Sequence, residues 1–318
     1  MRIVTWNLRF DSMPNNITVQ QSLDSLQDSL LQPTFLALTT EQPWSTRRIQ
    51  VAEKLLSSGI SLASECFQEA LVRQVQDLAE LFGPEWSWIG VGRDDGVAAG
   101  EFSPIFFKNT KVKLLSNDSF WLSNTPFEPS IFPGAGSIRI CTAAHFSTIS
   151  STGEEKKFTL LNTHLDDQSD AQRRLGASML LTRARFEAAN TSNPVFITGD
   201  FNSAAMGSDS GAYNIITGVL PPVAINATFA AKYRVDDDQL PGFTMLDLRG
   251  QAPRRSVSTN FATFTGFTAP NDTGQWTRID FIFGGSNGEW QGYNTGTSLS
   301  DTGLLASDHR PSFADIFF

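Results

Sequence analysis

The stretch PVFITGDFNS, residues 194–203, decides how the rest of this chain is read. Val195, Phe196, Ile197 and Thr198 form a run typical of a buried strand, and the run stops at Gly-Asp-Phe-Asn. Asp200 and Asn202 are two apart, so in an extended chain both point to the same side. A carboxylate and an amide converging at a strand's end suit a hard cation or a phosphate oxygen better than they suit packing.

Similar runs lie on both sides of it. RIVTWNL opens the chain, and EWSWIGVG, SPIFFK, VKLLSNDSFWLS, IRICTAAHF, KKFTLLNTHL and RIDFIFGG follow with turn residues between them. Helical patterns are fewer. STRRIQVAEKLLSSG places Ile49, Ala52, Leu55 and Leu56 on one stripe, with a serine in front and Gly59 behind. ALVRQVQDLAELFG carries Leu71, Val75, Leu78 and Leu81, and SDAQRRLGASMLLTRARFEAA carries Leu175, Met179 and Leu180. Pairs of strands often follow each other with no helix between, which predicts mixed sheets with helices packed outside. Residues 13–40, rich in Ser, Gln and Asn, read as an insertion that is partly helical or loose, and 203–243 as a second irregular stretch.

The strand ends carry the remaining polar groups. In LLNTHLDD, Asn162, His164 and Asp166 share one face of an apolar strand, and a satisfied structural histidine is the alternative to a functional one. Asp280 sits between Ile279 and Phe281, where a buried acid needs a partner, and with only three histidines in the chain an imidazole is a natural one. SDHRP supplies Asp308 and His309. Asn7, at the end of the opening strand, reads alone as a turn former. Glu69, where a strand gives way to a helix, caps the helix or reaches a cation.

Composition bounds the partners. A formal net charge of −9 argues against a generally basic surface for nucleic acid, because such affinity comes from Lys and Arg neutralising phosphates. A local basic groove or a bound metal would evade that argument. Cys66 and Cys141 lie in apolar runs and read as buried free thiols. No apolar stretch is long enough to span a bilayer, and MRIVTWNL reads as a core strand rather than a cleavable signal, so an intracellular protein is expected despite five Asn-X-Ser/Thr sites. No protein partner is inferable.

Taken in order, Asn in WN, Glu in QE, His in NTHLD, Asp and Asn in GDFN, Asp in RIDFIF and then SDH resemble the endonuclease/exonuclease/phosphatase superfamily, from residue 4 to residue 316. That group holds DNase I-like nucleases, abasic-site endonucleases, deadenylases, inositol polyphosphate 5-phosphatases and neutral sphingomyelinases. GRDDG…GEFSPIFF, DSFWLSNTP and RICTAAHF look like a microbial subgroup of poorly defined substrates. The resemblance implies an α/β (α+β) fold, a four-layer sandwich of two stacked mixed sheets flanked by helices, formed by residues 1–318 as one domain.

It also implies a phosphoesterase. Glu69 would be the principal ligand of Mg²⁺, with Mn²⁺ as a substitute, and Asn7 and Asp308 would lie close to it. Asp200 and Asn202 would face the attacking water and the scissile phosphate. Asp280 would hold His309, while Glu101 would pair with His164 on the other side of the phosphate. Arg139, Asn162 and Asp166 are further candidates for substrate contact, although an ordinary salt bridge is an equal reading for Arg139. A phosphodiesterase or nuclease-type activity is expected first. A phosphatase of a small phosphorylated sugar, inositol or lipid head group is the alternative, and a scaffold without turnover the third reading. Arg9 stands where many abasic-site nucleases place an acid, Ala143 where the subgroup often has Trp, and His145 matches no family role. Trp44, Arg47 and Arg48 could line the cleft mouth, but arginines on a helix face are ordinarily solvated.

Overall fold

The computed structural model describes residues 1–32, 40–57, 62–150, 152–285 and 290–316. Gly59 and residues 33–39 of the expected insertion lie outside them.

Among the described residues twelve strands form two six-stranded sheets. The first contains β1 (Arg2–Asn7), β2 (Leu62–Gln68), β3 (Trp86–Ile89), β4 (Ile105–Lys108), β11 (Trp290–Thr295) and β12 (Ser312–Ile316), in the order β11-β12-β1-β2-β4-β3. The second contains β5 (Val112–Trp121), β6 (Ile140–Ile149), β7 (Glu155–His164), β8 (Val195–Asp200), β9 (Leu246–Asp247) and β10 (Asp280–Gly284), in the order β5-β6-β7-β8-β10-β9. Among the described strands, β1–β2 and β7–β8 pair in parallel and the other neighbours antiparallel, so both sheets are mixed. Among helices, α1 (Val19–Asp24), α2 (Trp44–Ser57) and α3 (Val72–Phe82) accompany the first sheet, and α4 (Asp170–Thr191) covers the second.

Three apolar clusters make this a four-layer sandwich. Ile3, Cys66, Phe146, Leu160 and Phe196 meet between the sheets. Val4, Trp6, Val51, Phe67, Val75 and Phe106 fill the space under α2 and α3. Leu161, Leu175, Met179, Leu180, Ile197 and Phe281 fill the space under α4. Successive residues of β1 and β8 divide between clusters, as the two-residue repeat of a strand requires. No helix among the described residues is long and apolar enough to cross a membrane.

Helix α2 departs from its predicted stripe. Its buried side chains are Trp44, Ser45, Arg47, Arg48, Val51, Ala52 and Leu55, while Leu56 is exposed. Both arginines are fully buried rather than solvated. Arg48 ties Asp77 of α3 to the carbonyls of Ile17 and Thr18, which anchors the described part of the 13–40 segment against the helices.

Asn162 is also relocated. The sequence suggests a substrate contact, but the side chain is sealed between the sheets. Its amide donates to the carbonyls of Phe67 (2.8 Å) and Pro104 (2.9 Å), and Gln68 Nε2 donates to its oxygen at 2.7 Å. With its oxygen also accepting from Thr198 Oγ1 at 3.3 Å, the buried amide is fully engaged within the protein. Asn162→Ala removes the bonds to Phe67, Pro104 and Gln68 that join the sheets and should lower unfolding free energy by about 3 kcal/mol, with the site otherwise intact; urea denaturation measures this.

Glu65 is the opposite case. It lies in register with Val4 and Phe106 under the helices, fully buried, and neither carboxylate oxygen has a hydrogen-bond partner. Burial pushes its pKa well above the ordinary 4.5. The folded chain therefore keeps a proton that the unfolded chain releases, so this group's contribution to stability is fully present below pH 4.5 and is lost as pH rises above it, by up to about 1.4 kcal/mol per pH unit until the raised pKa is reached. Glu65→Gln should flatten that slope and raise stability at neutral pH, which denaturation at two pH values tests.

Candidate functional site

Strand register assembles the centre. On the second sheet His164 of β7 pairs with Asp200 of β8, and Asp200 pairs with Asp280 of β10. Three adjacent strands thus end in one row of side chains. Gly199, with φ of 150°, makes the row close: a Cβ there would meet the Thr163 carbonyl oxygen at 2.0 Å. On the first sheet Asn7 pairs with Gln68, which brings Glu69 beside it. The two sheets meet at this rim through Asn7, whose Nδ2 donates to Glu69 Oε1 (2.9 Å) and to Asp200 Oδ2 (3.0 Å).

Asp200 is almost wholly buried, and its Oδ2 lies 3.6 Å from His164 Nε2 and 3.6 Å from His309 Nε2. Two imidazoles therefore face one carboxylate oxygen, one from the end of β7 and one from the segment that precedes β12. His309 Nδ1 is 2.9 Å from Asp280 Oδ2. Burial opposes a charge on His309, but Asp280, Asp200 and Asp308 outweigh it and push its pKa up to about 10. His164 Nε2 lies 3.0 Å from Asn202 Nδ2, which also donates to the Leu165 carbonyl. Its other nitrogen is 3.8 Å from Glu101 Oε2, an ion-pair separation too long for a hydrogen bond, whereas Glu101 is directly paired with Arg93 at 2.7 Å.

Glu69 and Asp308 line the same cavity. Glu69 Oε2 accepts from the Phe10 N–H, so each of its oxygens is held yet keeps a lone pair. Asp308 is raised above the usual carboxylate range, by burial first and also by Glu69; His309, Arg9 and Arg47 pull the other way. Two carboxylates lining one polar cavity, with the Asp308 proton affinity raised by burial and by Glu69, form a donor set that a divalent cation relieves, so the residues fit such an ion. Asp200, Asp280 and His309 form a second, buried group whose ligand atoms all lie within 4.8 Å of one another and which can hold a metal.

The cavity has a volume of about 610 Å³, within the range of small-molecule sites. Besides the groups above it is lined by Arg9, Phe10, Ser137, Arg139, Asp167, Ala204, Asp209, Phe264, Thr277 and Ile279. Among the described residues five non-glycine residues have positive φ, and three of them, Arg9 (58°), Glu69 (58°) and Asn202 (46°), stand here. Strain of about 1–3 kcal/mol per residue persists where the surroundings impose it.

Asp166 does not join the site. Its fully buried carboxylate accepts the N–H groups of Gly136, Ser137, Gln168 and Ser169, and Nε of Arg139 at 3.2 Å. The group closes a loop and cannot touch substrate. Arg139 makes the salt bridges that the alternative reading expects, to Asp166 and to Asp167 (2.7 Å), and still lines the cavity. His145 pairs with Glu187 at 2.7 Å and Ser116 at 2.9 Å, away from the cavity. Sequence reasoning missed Arg93 as the partner of Glu101, and Trp6, whose indole N–H donates to the His309 carbonyl at 2.9 Å.

The sequence profile of the Endonuclease/Exonuclease/phosphatase family matches residues 4–309, across every one of these groups. This chain belongs to that family. Proteins of known structure with the same fold cover it almost end to end. An endonuclease/exonuclease/phosphatase from Bacteroides vulgatus is 29% identical over 99% of this chain and 98% of its own, with a TM-score of 0.72. A mannosyl-6-phosphatase from Bacteroides thetaiotaomicron is 24% identical over 100% of both chains, with a TM-score of 0.70. The human Nocturnin catalytic domain, solved with a bound sulfate anion, is 13% identical over 100% of this chain and 94% of its own, with a TM-score of 0.60. None of the curated proteins compared matches the sequence. The family's two stacked mixed sheets flanked by helices are the fold seen here, and the buried Asp200, Asp280 and His309 cluster is compatible with its metal-assisted phosphoesterase chemistry.

Proposed function

We propose that this protein is a Mg²⁺-dependent phosphoesterase acting on a small, hydroxyl-bearing phosphorylated molecule. The observation that carries the reaction type is the pair of imidazoles at 3.6 Å from one oxygen of Asp200, beside the Glu69 and Asp308 carboxylates. Asp200 accepts the proton of the attacking water, and Asn202 helps to seat the phosphate. His309, held charged by Asp280, donates a hydrogen bond to a phosphoryl oxygen. His164 supplies or steers the leaving-group proton, with Glu101 behind it. Glu69 and Asp308, steadied by Asn7, would hold the cation. When bound, a divalent cation there neutralises charge that builds on the phosphoryl oxygens.

The substrate class follows from the cavity's charge. Its lining has six carboxylates, Glu69, Glu101, Asp167, Asp200, Asp209 and Asp308, against two arginines. Both arginines are already paired, Arg9 with Glu41 and Arg139 with Asp166 and Asp167. A nucleic-acid strand needs unpaired positive charge beside the site. The exposed carboxylates of Asp167 and Asp209, each paired with an arginine yet with acceptor capacity left, and the Ser137 hydroxyl in the same lining instead suit the hydroxyls of a sugar-like leaving group. The lining thus supports the phosphatase alternative over the nuclease-type activity to which the sequence first leads.

Phosphate release from hexose 6-phosphates with Mg²⁺ or Mn²⁺ should exceed cleavage of bis(p-nitrophenyl) phosphate and of a single-stranded oligonucleotide. The reverse preference would restore the nuclease reading. Inertness toward all three would leave a scaffold.

A further inference from the structure

We infer that Arg47 is a positioning residue of the site, acting through two peptide planes to aim the backbone N–H groups that hold Asn7 and Glu69. The inference rests on the cation-site reading proposed above. Arg47 lies on α2, fully buried, and takes part in no salt bridge among the described residues. Its guanidinium is instead surrounded by carbonyls. Nη1 donates to Leu8 O at 2.7 Å and Ala306 O at 2.8 Å, Nη2 to Arg9 O at 3.0 Å, and Nε to Gln42 O at 2.9 Å.

The other ends of those peptides give the arrangement its meaning. The carbonyl of Leu8 shares a planar unit with the N–H of Arg9, which donates to Asn7 Oδ1 at 2.9 Å. The carbonyl of Arg9 shares one with the N–H of Phe10, which donates to Glu69 Oε2 at 3.1 Å. In a rigid trans peptide the two groups point in opposite directions, so fixing the carbonyl fixes the donor. A cation on each carbonyl also polarises the peptide and strengthens the bond its N–H makes. The bond to Ala306 ties the same guanidinium to the loop that leads through Ser307, whose hydroxyl donates to Asn7 O at 2.7 Å, into Asp308. One side chain therefore joins the loop whose Phe10 N–H holds Glu69 to the loop that carries Asp308, and Arg9 is held there with a positive φ.

Arg48 is a natural control. It is equally buried on the same helix, but its partners are Asp77, Ser22 and the carbonyls of Ile17 and Thr18, none of which leads to the site. Mn²⁺ binding, followed by electron paramagnetic resonance, and thermal unfolding would be measured for the wild type, Arg47→Gln, Arg47→Lys and Arg48→Gln. Arg47→Gln should weaken Mn²⁺ binding about 10- to 100-fold, the size seen when a group supporting a ligand is lost, and Arg47→Lys should do so less. Arg48→Gln should lower the unfolding temperature and leave Mn²⁺ affinity unchanged.

Wild-type affinity in Arg47→Gln, or equal weakening in Arg48→Gln, would overturn the inference. A wild type that binds no Mn²⁺ would overturn the cation-site reading and this inference with it. If Arg47→Gln does not fold, two measurements decide. Arg47→Lys should move the amide resonances of Arg9 and Phe10 and weaken Mn²⁺ binding, and in the wild type those two amides should exchange hydrogen only on global unfolding. Fast exchange at both, or unmoved resonances in Arg47→Lys, would overturn it.

Discussion

Asp200→Asn should lower kcat for phosphate release about a thousandfold, the middle of the range for loss of a positioned general base, while the unfolding temperature changes by only a few degrees. The reason is that the substitution keeps shape and removes charge. Asp200 Oδ1 accepts the Asn202 N–H at 2.9 Å and Oδ2 accepts Asn7 Nδ2 at 3.0 Å. An asparagine oxygen can replace only one of these acceptors, and its amide then faces another amide donor. More importantly, the two imidazoles at 3.6 Å lose the anion between them and the attacking water loses its base. Steady-state phosphate release and a thermal melt on the same sample separate the two effects. A variant within tenfold of the wild type would remove Asp200 from the reaction.

Asp280→Asn should cost about a thousandfold to ten-thousandfold in kcat, by analogy with the buried aspartate of a hydrolytic triad. Asp280 does not face the cavity. It acts on His309, which it holds by a 2.9 Å hydrogen bond at Nδ1. With the carboxylate present His309 stays charged up to about pH 10, so the wild type should show no loss of activity from this group through the neutral range. Without it, burial favours the neutral ring, and the variant's residual activity should fall as pH rises through neutrality. The backbone N–H groups of Ile279 and Asp280 remain fixed on Thr263 Oγ1, both at 3.0 Å, so strand β10 should keep its place. A pH–rate profile parallel to that of the wild type would contradict the assigned pairing.

Much of this centre was legible because polar residues interrupt apolar strands. Asp200, Asp280 and His164 each end or begin a run whose other members are core, and a two-residue repeat then aims them at a single rim. Asp308 and His309 were legible as scarce groups in a short polar break. The same rule misled at Asn162 and Asp166, because periodicity gives the side of a strand but not what covers it. Asn162 faces the opposite sheet, and Asp166 lies past the strand's end, where four backbone N–H groups enclose it. Arg47 and Arg48 were misread for a related reason. Trp44, Arg47, Arg48, Val51, Ala52 and Leu55 follow the spacing of one buried helix face, and the two arginines interrupt it with charges whose carbonyl partners come from loops distant in sequence. A helix stripe read with its charges included would have drawn attention to them. Substrate class was out of reach because it depends on which arginines are paired with which acids, and those pairs, such as Arg139 with Asp167, form only in the folded chain.

The proposed reaction requires that Glu69 and Asp308 hold the cation while His164 and His309 face the phosphate. The direct measurement is a crystal of the wild-type protein grown with Mn²⁺ and inorganic phosphate, recorded for anomalous scattering. An Mn²⁺ peak between Glu69 and Asp308, with phosphate on the side of the two histidines, is the expected result. A peak seated on Asp280 and His309 would contradict it, because the imidazole could not then be the charged hydrogen-bond donor assigned to it.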